Sequence, residues 1–114
     1  MKYRGIIIEE SLNNNRILNN LNILKLYITE TAKKSDQWHI FEVEVEESEI
    51  ENISKLIMEG RYAHFWHGSD VVAVFTNKII KFNYLDKNSW NEVVEYGKKL
   101  NIPEEQLDFP IFGL

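Results

Sequence analysis

The chain has 114 residues, no cysteine, and a formal net charge of −5 at pH 7 with histidine neutral. That length fits one domain, and the lack of cysteine excludes disulfides, thiolate metal sites, iron–sulfur clusters and a cysteine nucleophile. A surface of this sign repels a phosphate backbone unless its basic residues cluster; Lys33-Lys34 and Lys98-Lys99 are isolated pairs, so no nucleic-acid partner is expected.

The opening segment, MKYRGIIIEESL, has too short an apolar run for a signal peptide. No apolar run approaches the ~20 residues of a membrane span. A cytoplasmic protein with no membrane partner is the expectation. Lys2–Glu9 reads as a first strand around Ile6, Ile7 and Ile8. Ser11 can cap a short helix through Leu12, Ile17, Leu18 and Leu21, against the poor helix propensity of the many asparagines. Asn22–Thr31 alternates, with Leu24, Leu26 and Ile28 opposite Lys25, Tyr27 and Thr29; this predicts a half-buried strand. Thr31–Gln37 is polar and reads as a loop.

Trp38–Glu46 is the clearest strand. It sets His39, Phe41, Val43 and Val45 on one face, and Trp38, Ile40, Glu42, Glu44 and Glu46 on the other. One packed face and one wet face is antiparallel-sheet logic, and the acidic row reads as a solvated surface. Ser48 and Glu51 have capping-box spacing, and Ile50, Ile53, Leu56 and Ile57 share a stripe of the helix predicted over Glu49–Glu59, with Gly60 ending it.

Arg61–Phe82 organises the chain as three consecutive antiparallel strands. Gly68-Ser69-Asp70 and Thr76-Asn77-Lys78 are its turns. Tyr62, His64 and Trp66 share one face of the first strand. Val71–Phe75 is apolar on both faces, which predicts a central strand covered on both sides. Ser89 and Glu92 repeat the capping-box spacing before a second helix, Trp90–Leu100, whose Gly97 costs about 1 kcal/mol against alanine and implies close packing on the sheet. Phe109-Pro110-Ile111-Phe112 is an apolar tail that either closes over the core or docks on a partner.

Trp38-His39-Ile40, Tyr62-Ala63-His64-Phe65, and Tyr96-Gly97 through Asp108-Phe109 carry a resemblance. The chain resembles a group of small bacterial and archaeal single-domain proteins that close on a YGxxLGIPExQLDF-like segment. Asn101 stands where that pattern usually has glycine. The resemblance implies a stand-alone domain and transfers no catalytic residue.

His39, His64, His67 and Asp70 have the types of a zinc ligand set. Residues i and i+3 of a strand face opposite ways, so His64 and His67 cannot share a metal unless a turn after Phe65 bends the chain, whereas His39 and His64 can if their strands are neighbours. His67, Ser69 and Asp70 have the types of a hydrolase triad but belong to one tight turn, where triad geometry is hard to reach. No phosphate-binding glycine loop is present. Glu42 and Glu44 form an open strand row rather than a cleft pair.

The expected fold is α+β: a mainly antiparallel sheet of five or six strands, both helices on one face, with a ferredoxin-like core plus a hairpin. The expected function is a non-catalytic binding or protein-interaction module, a homodimer with a small-molecule ligand or interface site at Tyr62, His64, Trp66 and His39, and with no cofactor, metal or catalytic residue. The alternative is a small enzyme or metal-binding protein using His39 and His64.

Overall fold

The computed structural model describes residues 1–30 and 37–111. The loop expected over Thr31–Gln37 (all but its last residue) and Phe112 of the tail therefore lie outside the described residues. Six strands run β1 (Lys2–Ile8), β2 (Asn22–Ile28), β3 (His39–Glu46), β4 (Ala63–His67), β5 (Asp70–Phe75) and β6 (Lys78–Asn83). They make one antiparallel sheet in the order β2-β3-β1-β4-β5-β6. Helix α1 (Glu47–Ser54) follows β3 directly, and α2 (Asn91–Lys99) follows β6. Among the described residues no helix is long and apolar enough to cross a membrane.

Strand alternation sorts the core into two layers. On the first face Tyr3, Ile7, Phe41, Val43, Val45, Phe65, Val72 and Val74 are buried under Ile50, Ile53 and Ile57, with Leu12 and Leu18 from the 3-10 turns after β1. On the second face Trp66, Val71, Ala73, Phe75, Ile80 and Phe82 are buried under Trp90, Val93, Ile102, Leu107 and Phe109. The helices therefore lie on opposite faces, which corrects the expectation of both on one face. The ferredoxin-like core is corrected too: β1 sits between β3 and β4, antiparallel to both. The reason was visible in Val71–Phe75, a strand apolar on both sides that needs a cover on each.

Gly5 is where β1 passes Phe65. A Cβ built there would overlap the edge of the Phe65 ring, so only glycine lets that ring cross the neighbouring strand. Asn77 turns the β5–β6 hairpin at φ 54°, in the left-handed region asparagine tolerates.

Two helix caps differ from expectation. The capping box of α1 is Glu46 with Glu49, not Ser48 with Glu51; the Glu46 N–H donates to Glu49 Oε1 at 2.8 Å. The helix ends at Ser54, whose Oγ donates to the Phe75 carbonyl at 2.8 Å. Ile57 beyond it forms a β-bridge to Leu12 instead of another helical turn. Ser89 does not cap α2. Its hydroxyl accepts from the Asn83 N–H at 3.0 Å and lies 2.6 Å from the Asp86 carbonyl, closing the end of β6. Gly97 packs on Leu107 rather than the sheet: a Cβ there would lie 2.7 Å from Leu107 Cδ2.

Candidate functional site

The second face is covered from β4 outward and left open over β1 and β3. Ile6 and Ile8 of β1 and Ile40 of β3 point to this face and are only half-buried. They floor a groove of about 460 Å³. Tyr27, opposite Ile40 on β2, and Trp38, just before β3, make its outer wall. Tyr62, His64 and the chain from Glu105 to Pro110 make its inner wall. A concave site with an apolar floor and a few convergent polar groups is the usual form of a ligand pocket.

The inner wall is held by two hydrogen bonds. Nε2–H of His64 donates to the Pro110 carbonyl at 2.6 Å, and the Tyr62 hydroxyl donates to the Gln106 carbonyl. Both side chains also pack on Phe109, with ring centroids 5.9 Å and 5.1 Å away. Burial lowers the His64 pKa against the opposing pull of the Pro110 hydrogen bond and the Asp108 charge. Burial, reinforced by Asp108, raises the Tyr62 pKa far above its ordinary value. Near neutral pH the groove therefore presents a neutral imidazole and a neutral phenol, each with its polar atom engaged in fixing the tail.

Of the four residues singled out from sequence, Tyr62 and His64 line this groove. Trp66 shares their face but is buried and stacks on His64, with centroids 5.5 Å apart. His39 is on the other face, in the alternation of Phe41 and Val43. Its Nδ1–H donates to Glu10 Oε2 at 2.7 Å, and its backbone N–H donates to Glu10 Oε1 at 2.9 Å. His39 and His64 are thus separated by the sheet, which corrects the expectation that they could share a metal or an acid–base site.

The Glu10 hydrogen bond raises the His39 pKa against desolvation, helped by the charges of Glu10 and Glu9. For Glu10, burial acts upward but is outweighed by the His39 hydrogen bonds, and its pKa is lowered. Glu9, Glu10 and His39 offer ligand atoms within 4.8 Å of one another, the one such group among the described residues. Its members already answer each other, and Asn15 Nδ2 donates to Glu9 Oε2 at 2.7 Å.

The remaining candidates have structural roles. His67 Nδ1–H donates to the Lys2 carbonyl at 3.1 Å. Asn83 Nδ2 donates to Ser69 Oγ at 3.2 Å and reaches Asp70 Oδ1 at 3.5 Å, which ties the hairpin turn to β6. The acidic row of β3 is met by cations from the N-terminus: Arg4 on Glu42, Lys2 on Glu44 at 3.5 Å, and the N-terminal amine on Glu46 at 3.5 Å.

Sequence reasoning missed Tyr27, Trp38, Ile40 and Asp108. Alternation had placed Trp38 and Ile40 together on one face, but that face was read as wet because three glutamates share it. Compared with protein-family models, curated proteins and solved structures, the chain matches none.

Proposed function

We propose that the protein is a non-catalytic binding module whose ligand site is the groove over β1 and β3. The observation that carries this reading is the uncovered apolar floor of Ile6, Ile8 and Ile40 beside the walls of Tyr27, Trp38 and Tyr62. A floor of this kind gains roughly 25 cal/mol for each Å² of apolar surface that a ligand removes from water. The titratable rings of the inner wall, His64 and Tyr62, bond to the chain's own carbonyls, which suits recognition rather than proton transfer by these groups. The test is a fragment screen on isotopically labelled protein read by amide chemical shifts. Binding should perturb Ile6, Ile8 and Ile40; fragments that perturb only other faces would contradict the assignment.

A second observation favours self-assembly through β2. Five of the eight exposed large apolar residues among the described residues, Ile23, Leu24, Leu26, Tyr27 and Ile28, stand on this one edge strand, 40–52% exposed. Half-burial had been expected there; a sheet edge with no neighbour leaves both faces open instead. The Thr29 N–H points inward, to the Trp38 carbonyl at 3.0 Å, so by alternation Leu26 and Ile28 turn their backbone groups outward. A two-fold pairing centred on Leu26 sets Leu26 against its copy and Lys25 against Tyr27, the ring its own Nζ already approaches at 5.3 Å. A pairing centred on Lys25 would oppose two ammonium groups. Sedimentation should give twice the chain mass for the native protein and the single chain mass for Leu26→Lys; a native monomer would overturn the homodimer.

A further inference from the structure

The groove also carries a sign. Its lining has no lysine or arginine, and it has two carboxylates, Glu105 and Asp108, both exposed and neither in an ion pair among the described residues. Three basic groups border the groove. Arg4 is paired with Glu42, and two cations stack on the outer wall: the Arg61 guanidinium over the Trp38 ring at 5.4 Å and the Lys25 ammonium over the Tyr27 ring at 5.3 Å. The negative charge belongs to the inner wall, and the stacked cations are the protein's own instances of a cation held on an aromatic face. The field of Asp108 reaches the buried inner wall, because it acts on both His64 and Tyr62. A low-dielectric floor beside such charges strengthens their pull on a counter-charge.

We infer that the groove takes a small organic cation: an apolar or aromatic body seated on Ile6, Ile8 and Ile40, with an ammonium group directed to Asp108 and Glu105 of the inner wall, beside the Tyr62 ring and away from the Lys25 ammonium on Tyr27. The inference rests on the reading of the groove as a ligand site and adds the chemical class of the ligand. The apolar floor alone accepts any apolar body. The unpaired carboxylates select against anions, which would meet like charge, and in favour of amines, whose charge gains from both carboxylate and ring.

The test compares three probes of one shape: 2-phenylethylammonium, 2-phenylethanol and 3-phenylpropanoate. Each is titrated into labelled protein while the Ile6, Ile8 and Ile40 amides and the Trp38 indole are followed. The expected result is saturable binding of the ammonium, weaker binding of the alcohol, and none of the carboxylate. In Asp108→Asn combined with Glu105→Gln the ammonium should weaken about tenfold, toward the affinity of the alcohol. Both positions are exposed, so the variant's spectrum should otherwise match the native one. Equal binding of ammonium and alcohol, or an unchanged ammonium affinity in the variant, would overturn the charge assignment and leave the apolar groove standing. If none of the three probes shifts the groove resonances, the ligand-site reading falls with it.

Discussion

His64 donates its Nε2–H to the carbonyl oxygen of Pro110, 46 residues further along the chain, at 2.6 Å. This bond joins the middle of the sheet to the closing segment and sets the inner wall of the groove. The burial of His64 makes the wall sensitive to pH, against the opposing pull of this bond. Burial lowers the folded-state pKa of His64 below its unfolded value of about 6.5. The unfolded chain then binds the extra proton first, so His64 contributes stability above about pH 6.5 that is lost as the pH falls toward its folded pKa. Thermal unfolding between pH 7.5 and 5 should show a falling midpoint, and His64→Gln should flatten that fall. The His39–Glu10 pair has the opposite sign on its histidine side, since a raised pKa loses its contribution as the pH rises. Repeating the series on His39→Gln separates the two. An identical acid limb in His64→Gln would contradict the account.

Phe109 anchors the same segment. It is fully buried and packs on Tyr62, His64, Phe82 and Trp90. Phe109→Ala should cost about 3–5 kcal/mol in urea denaturation, the usual cost of such a cavity. In fragment binding, the loss should exceed that of a distant cavity variant of equal stability, because the inner wall loses its support.

Asn101 ends the segment after α2 with φ 64°. An L-residue carries a conformational penalty there that glycine avoids. Asn101→Gly should therefore stabilise the fold by up to about 1 kcal/mol, read as a higher urea midpoint at unchanged slope. A lower midpoint would mean the asparagine side chain outweighs its backbone strain.

Gly5 and Gly97 separate two kinds of close packing. Gly5→Ala drives a methyl into the Phe65 ring between two central strands, and should cost at least about 1–3 kcal/mol. Gly97→Ala meets the end of a flexible leucine side chain, Leu107, and regains about 1 kcal/mol of helix propensity. Its net effect should be the smaller of the two by calorimetry.

Local structure was legible because it is set by near neighbours. The alternation of His39–Glu46, the Gly68 and Asn77 turns, and the double-sided apolar run of β5 all appear in the sheet as read. What was not legible depends on pairing across the chain. Lys2–Ile8 could lie at an edge or at the centre, and nothing local says that it pairs with both β3 and β4. That placement opens Ile6 and Ile8 to the groove and parts His39 from His64. The capping boxes failed for a related reason: at α1 the box is closed two residues early, by Glu46 at the end of β3 with Glu49, and before α2 the expected cap Ser89 bonds instead to Asn83 at the end of β6.

The groove can be tested most directly by labelling the protein with 5-fluorotryptophan and following the three indoles by fluorine NMR, assigned through single Trp→Phe variants. Trp38 lines the groove, whereas Trp66 and Trp90 are buried in the second core layer. On addition of 2-phenylethylammonium, the Trp38 signal should shift saturably, with those of Trp66 and Trp90 nearly unchanged. A Trp38 signal that stays fixed while a buried tryptophan moves would place the ligand elsewhere and contradict the assignment to the groove.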